Sequence, residues 1–209
     1  MWQTMKAEDI ISTYDKEAQT FQKLRNKTLF ERPWLDRFLA HAPRNAGAVR
    51  VLDLGCGTGQ PIAQYLLDRR CVVTGVDGAA NMVALFEQNL PKARAIHADM
   101  RGLDLGETFD AVLAWDSFFH LSPEDQIPMF EVFARHLATG GVVMFTTGTD
   151  DGEALGQVGD SVVYHVSLSP DRYRELLAAQ GLEVIRHIIE DPDCADHTVW
   201  LARKQTSAT

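Results

Sequence analysis

From Val49 onward, short apolar runs alternate with amphipathic stretches, the pattern of parallel strands joined by helices. Strands are expected over residues 49–54, 71–76, 94–98, 109–115 and 141–147. A helix over 60–68 tolerates Pro61 in its first turn, and one over 79–90 places Met82, Leu85 and Phe86 at helical spacing. Ser122-Pro123-Glu124-Asp125 opens another helix with a capping hydroxyl, a first-turn proline and acids near the positive end of the dipole. Its inner face is Phe130, Phe133, Ala134 and Leu137, and Gly140-Gly141 is expected to stop it. Residues 100–107 are too short and glycine-punctuated for a full crossover helix.

Residues 149–161, with four acids and three glycines, read as a loop, and 162–167 as a candidate strand. Ser169-Pro170 begins a helix with Tyr173, Leu176 and Leu177 inward and Gly181 at its end. The runs 182–190 and 197–203, around an Asp191-Pro192-Asp193 turn region, suggest a closing antiparallel hairpin. Residues 1–48 carry two helical stripes, one of Ile10, Ile11, Tyr14, Ala18 and Phe21, the other of Trp34, Leu35, Phe38 and Leu39. They form either a lid over a ligand cleft or a helix pair packed on the sheet. The expected division is 1–48 as N-terminal helices, 49–205 as the main domain and 206–209 as a tail.

The chain of 209 residues is long enough for one full core. A formal charge of −9 argues against binding a nucleic-acid backbone and favours a small or cationic substrate. Cys56, Cys71 and Cys194 are widely spaced and form no C-x-x-C pair, which suits reduced thiols and a cytoplasmic protein. No apolar run has membrane-spanning length, residues 1–10 lack signal-peptide regions, and no Cys/His/Asp cluster has metal-ligand spacing. The G-x-S-x-G elbow and the P-loop are absent too.

The chemistry is concentrated after the first strand. In Asp53-Leu54-Gly55-Cys56-Gly57-Thr58-Gly59-Gln60, a strand runs into a glycine loop and then a helix. Such a turn lets a ligand approach the backbone, and the helix offers unpaired N–H groups. A dinucleotide fingerprint would place glycine at position 60 rather than Gln60. Asp53 precedes the first glycine by two residues and needs a partner in an apolar strand. Polar residues also end the next strands, at Asp77-Gly78, Asp99-Met100 and Trp115-Asp116, where open α/β sheets bind ligands.

D-x-G-x-G-x-G after a strand resembles motif I of the class I S-adenosylmethionine-dependent methyltransferases, and the order of elements over 49–203 is similar to theirs. The resemblance implies a Rossmann-like α/β fold: a seven-stranded, mostly parallel sheet with helices on both faces, an antiparallel last strand, and an N-terminal helical lid. It implies S-adenosylmethionine as cofactor, S-adenosylhomocysteine as product, and a small-molecule acceptor, in a monomer or homodimer acting without nucleic acid or membrane.

The implied cofactor residues are Asp53, Gly55, Cys56, Gly57 and Gly59 at the methionine side and Asp77 with Gly78 at the ribose. Met82, Asp99 and Met100 come at the adenine and Trp115 near the methionine amine. Met82 equally suits a core, and Asp99 the cap of the turn before Gly102. Tyr14, Trp34, Phe118, Phe119 and Tyr164 are candidates for the acceptor pocket, and Arg25 or Arg32 for the methionine carboxylate. Methyl transfer needs mainly in-line positioning in a dry cleft. If the acceptor is a hydroxyl, His120 is the best-placed base and His165 the second, since imidazole titrates near neutrality. The competing readings are a nicotinamide-dependent oxidoreductase, a sensor or inactive subunit that binds S-adenosylmethionine without transfer, and an enzyme of this fold doing other chemistry on it.

Overall fold

The computed structural model describes residues 6–44 and 47–206. All of the expected tail but Thr206 lies outside them, as do residues 1–5 of the N-terminal segment. The central sheet contains β1 (Arg50–Leu54), β2 (Val72–Asp77), β3 (Arg94–His97), β4 (Phe109–Ala114), β5 (Leu137–Thr147), β8 (Leu182–Asp191) and β9 (His197–Lys204). Its strand order is β3-β2-β1-β4-β5-β9-β8. The first five run parallel, and β9 inserts antiparallel to both β5 and β8. The expected fold class is the observed one.

Helices cover both faces, which is why the central strands read as continuous apolar runs instead of alternating. Successive side chains of a strand point to opposite faces. Leu52 and Leu54 enter a core with Phe130, Phe133, Phe145 and Trp200, covered by α5 (Pro123–His136) and α6 (Pro170–Ala179). Val51 faces the other way, into a core with Phe86, Met144 and Leu113. That side is covered by α2 (Arg32–His41), α3 (Ile62–Asp68) and α4 (Ala80–Asn89). Ser122 Oγ and Ser169 Oγ accept from the N–H groups of Asp125 and Arg172, so both expected serine caps form.

Three boundaries differ from expectation. The helix after the glycine loop starts at Ile62 with Pro61 as its N-cap. Strand β5 begins at Leu137, because the chain passes directly from α5 into pairing with Phe109 and shifts register before Val142. Gly140 and Gly141 therefore lie within a strand and do not end the helix. The largest correction concerns 149–161, where the expected loop contains β6 (Gly152–Val158), paired antiparallel with β7 (Ser161–Ser167) in a separate two-stranded sheet. Most β6 residues are exposed, so its sequence lacks the alternation that a half-buried strand displays.

This hairpin and α1 (Ile10–Leu24) stand over the carboxyl ends of the parallel strands. Ile10 packs with Val158 and Val163, and Ser161 Oγ donates to Glu17 at 2.8 Å. On its other flank α1 meets α4, where Asp15 accepts from the Asn81 N–H at 2.7 Å. The two N-terminal helices thus have different places: α1 borders the cleft and α2 is part of the core on the far face.

Candidate active site

A cleft of about 440 Å³ opens at the ends of β1, β2 and β4, a size suited to a small-molecule site. Its floor is the glycine loop. Gly55 and Cys56 donate N–H bonds to the Val76 carbonyl at 2.8 and 3.1 Å, folding the loop against β2. At Gly55, with φ +72°, an added Cβ would come within 2.3 Å of Ser117 Cβ, and at Gly59, with φ +77°, within 2.8 Å of the Phe86 ring. Glycine is required at both by conformation and by space.

Asp77 holds the loop. One carboxylate oxygen accepts from the Gly57 N–H and the other from the Ala79 N–H, each at 2.9 Å. Burial raises its pKa, opposed by those two bonds. Asp53 is 4% exposed. Among the described residues none makes a hydrogen bond to its carboxylate, and burial, reinforced by the charge of Asp77, pushes its pKa up to about 7. Cys56 is raised well above the ordinary thiol value by burial and by the charges of Asp77 and Asp53, so it is a packed thiol and not a nucleophile.

At the far end, Asp99, Met100 and Met82 line the cleft. Both Asp99 oxygens already accept from Arg101, at 2.6 to 3.1 Å. Burial alone would raise the Asp99 pKa, but these bonds outweigh it and hold the carboxyl below its ordinary range.

His120 is buried and fully bonded. Its Nδ1 lies 2.8 Å from the Tyr164 carbonyl, which can only accept, so Nδ1 carries the proton. Nε2 then accepts from the Tyr14 hydroxyl at 3.0 Å. Burial lowers the His120 pKa to about 4, so the ring is neutral. Phe119 and His165 continue this wall, and the His120 and His165 rings lie 4.8 Å apart.

Three candidates for the acceptor pocket lie elsewhere. Trp34 is fully buried in the far-face core, its indole N–H donating to Asp191 at 2.8 Å. Phe118 is fully buried among Phe130, Phe133 and Phe145, because the short turn at Phe118–His120 sends consecutive side chains opposite ways. Tyr164 alternates along β7 with the cleft-lining Val163 and His165, and its hydroxyl donates to Glu153 instead. Its backbone carbonyl, not its ring, takes part, by fixing His120. Arg25 lines the cleft while paired with the buried Glu31, whereas Arg32 pairs with Asp36 at the surface.

Two residues in the cleft were assigned no role from the sequence. Asp116 and His197 meet there, His197 Nε2 lying 3.2 Å from the carboxylate. They are 81 positions apart, and only the insertion of β9 beside β5 brings them together. The sole sequence signal was the position of Asp116 at a strand end. Among the described residues no group of three or more His, Cys, Asp or Glu side chains could hold a metal ion.

Residues 51–141 match the family described as a methyltransferase domain. The chain is 35% identical over 106 residues to dTDP-3-amino-3,6-dideoxy-alpha-D-glucopyranose N,N-dimethyltransferase of Streptomyces fradiae, covering 50% of this chain and 40% of the relative. It is 30% identical over 186 residues to 27-O-demethylrifamycin SV methyltransferase of Amycolatopsis mediterranei, covering 81% and 64%. It therefore spans less than two thirds of the length of these curated relatives. Among solved structures, an amino pentose methyltransferase of Micromonospora echinaspora with bound S-adenosylmethionine superposes with a TM-score of 0.71 at 22% identity, covering 92% of this chain and 97% of that one. A sugar N-methyltransferase from Streptoalloteichus gives 0.72 at 22% identity, covering 90% and 92%.

A sheet of this order, with an acid two residues ahead of the glycine loop and a second acid closing the loop from β2, defines a nucleoside-binding α/β protein. The matched methyltransferase domain, residues 51–141, contains this loop and both acids, and the chain resembles the class I S-adenosylmethionine-dependent methyltransferases.

Proposed function

We propose that the protein moves a methyl group from S-adenosylmethionine to a nitrogen or oxygen of a small molecule. The observation that carries this reading is the junction of two unlike surfaces in one cleft. The glycine loop braced by Asp77 faces a second wall of Tyr14, Phe119, His120 and His165. The relatives' printed activities, on an amino sugar and on a rifamycin, suggest amine or hydroxyl acceptors.

The residues present suit the cofactor. Its sulfonium and ammonium are cationic, and Asp53, Asp77 and Asp116 all line the cleft. The missing side chain at Gly57, where Phe21 would be the nearest neighbour of an added Cβ at 3.4 Å, leaves the loop backbone open to a ligand. We assign Asp53, Gly55, Cys56, Gly57, Gly59 and Trp115 to the methionine side, joined by Arg25 for its carboxylate. Asp77 and Gly78 serve the ribose hydroxyls, and Met82, Asp99 and Met100 the adenine. When bound, S-adenosylmethionine supplies an already activated methyl group. The chain's own task is then to align the acceptor and exclude water.

On this reading α1 and the β6–β7 hairpin form the cover, and Tyr14 and Phe119 shape the acceptor pocket. His120, the expected base, is neutral with both nitrogens bonded, so its part here is to hold the Tyr14 hydroxyl toward the acceptor through Nε2. We place the protein in the cytoplasm, in keeping with its three unpaired cysteines. No helix among the described residues is long and apolar enough to cross a membrane.

Equilibrium binding of labelled S-adenosylmethionine and of NAD tests the first half of the proposal, and retention of NAD alone would refute it. Incubation with S-adenosylmethionine and a metabolite extract tests the second. Mass spectrometry should show a metabolite gaining one methyl as S-adenosylhomocysteine accumulates, and binding without any such gain would refute transfer.

A further inference from the structure

His197 is held from every side. Its ring lies between Trp115, stacked at 5.5 Å, and Phe30, tilted at 5.2 Å. Nδ1 faces the carbonyls of Cys194 and Ala195 at 2.9 and 3.1 Å, so Nδ1 carries a proton in either charge state. Only Nε2 can gain or lose one, and Nε2 faces both oxygens of Asp116 at 3.2 and 3.3 Å. Asp116 is itself anchored, its N–H donating to Thr146 Oγ1 at 2.9 Å and Thr146 Oγ1 donating to its carboxylate at 3.3 Å.

The backbone on both sides of this meeting is left-handed. Asp116 has φ +48°, and Ala195 and Asp196, just before His197, have +49° and +56°. Non-glycine residues adopt this conformation at a cost of about 1–3 kcal/mol each, and such costs collect at functional sites. Ala195 and Asp196 turn the chain between β8 and β9, Ala195 capping the short helix Pro192–Cys194, and this turn delivers His197 to Asp116.

We propose that Asp116 is a catalytic residue that takes the acceptor's proton, and that His197 is the positioning residue that stores it. This rests on the transferase reading above. In the step, the acceptor's lone pair forms the new bond to the methyl carbon, and the carbon–sulfur bond breaks with its electron pair left on sulfur. The proton on the acceptor N–H or O–H passes to an Asp116 oxygen and on to His197 Nε2. The dyad can receive it only while Nε2 is bare, so turnover rises with pH through the His197 titration.

Burial disfavours a charged His197, but the bond to Asp116, its charge and the two carbonyls outweigh this and raise the His197 pKa above its ordinary value. The other ionisable groups turned toward the pair are Tyr14, His120, His165, Cys194 and the Arg25–Glu31 pair. The Asp116 charge raises the pKa of each of the first four, beside the larger effect of their burial. His120 is neutral already, and Tyr14 and Cys194 titrate above the working range, which leaves His165, His197 and, across the cleft, Asp53, pushed up to about 7 by burial, as the groups able to shape the profile near neutrality.

The test measures methyl transfer from tritiated S-adenosylmethionine to a fixed mixture of small amines, phenols and alcohols, from about pH 6 to about pH 9. Wild type is compared with His197→Gln, His197→Phe and Asp116→Asn, and the Kd for S-adenosylmethionine and the Tm are followed in parallel. Turnover of both His197 variants should fall by about tenfold or more and lose the part of the rising limb that His197 supplies, leaving that of Asp53 and His165, with Kd within about twofold of wild type. Asp116→Asn should fall at least as far. His197→Phe keeps the aromatic stack without the proton store, so it separates the role from packing. A His197 variant that keeps the wild-type pH profile, or loses affinity and Tm in step with turnover, overturns the proposal. Wild-type protein that binds S-adenosylmethionine and methylates no probe refutes the transferase reading itself, and the dyad's role with it.

Discussion

Replacing Asp53 by Asn should make the unliganded protein progressively more stable than wild type as pH rises. Asp53 is 4% exposed, and among the described residues none makes a hydrogen bond to its carboxylate to repay its desolvation. Its pKa moves from the ordinary 3.8 to about 7, with burial the larger cause and the charge of Asp77 the smaller. At about 1.4 kcal/mol per pH unit between the two values, ionising Asp53 in the folded protein costs roughly 4 kcal/mol. The folded state holds this proton more tightly than the unfolded state, so stability falls as pH rises from about 4 to about 7 and then levels off. Roughly 1.5–2 kcal/mol of the penalty is present at about pH 5 and nearly all of it at about pH 8.

Asn carries no such titration, and any cost of its amide is the same at both pH values. The difference in unfolding free energy between Asp53→Asn and wild type, from urea titrations, should therefore widen by about 2–3 kcal/mol between those two conditions. Saturating S-adenosylmethionine should narrow it again, since a cation beside the carboxylate offsets the cost of charging it. Near pH 6, binding should release a proton, seen as a buffer-dependent heat in titration calorimetry. A difference that stays constant with pH, to within about 0.5 kcal/mol, would show that Asp53 is solvated or partnered in solution and that the reasoning is wrong.

Asp77→Ala should weaken S-adenosylmethionine binding by about 1–3 kcal/mol, because it removes the ribose acceptor and frees the Gly57 and Ala79 N–H groups that shape the loop. Unchanged affinity by calorimetry would remove Asp77 from the site. Gly59→Ala should cost about 2–3 kcal/mol in urea unfolding, since its Cβ would meet Leu90 at 2.5 Å and Phe86 at 2.8 Å in a left-handed backbone. A loss below about 0.5 kcal/mol would mean the loop relaxes freely. Tyr14→Phe leaves His120 Nε2 without its donor. It should lower kcat while leaving the Kd for S-adenosylmethionine within about twofold, with a stability loss near 1 kcal/mol. Loss of cofactor affinity instead would assign Tyr14 to the cofactor wall.

What the chain states openly follows from local physics. The strand–glycine–helix segment at Asp53–Gly59 is readable because φ and close packing permit little else there, and the doubly buried strands are readable because both faces are apolar. Strand β6 escaped because it pairs with β7 through its backbone while most of its side chains are exposed, so no hydrophobic period records it. Trp34 and Phe118 were placed in the acceptor pocket by nearness in sequence to the right loop or segment, but one turn of backbone decides which side of the sheet an aromatic ring enters. His197 was invisible for a different reason. Its partner is set by which strand β9 chooses as neighbour, and that is a property of the sheet, not of any window of sequence.

The placement of β9 also bears on synthesis. The cofactor loop and the first five strands precede residue 150, while the strand that slots between β5 and β8 is the last described element to leave the ribosome. Until β9 is in place, the Asp116 carboxylate has no His197 beside it, and the two cores lack Val199, Trp200, Leu201 and Ala202. If the dyad has the role assigned to it, the strand that completes both cores also supplies the outlet for the acceptor's proton. Chemical competence then arrives last, with the closing of the sheet.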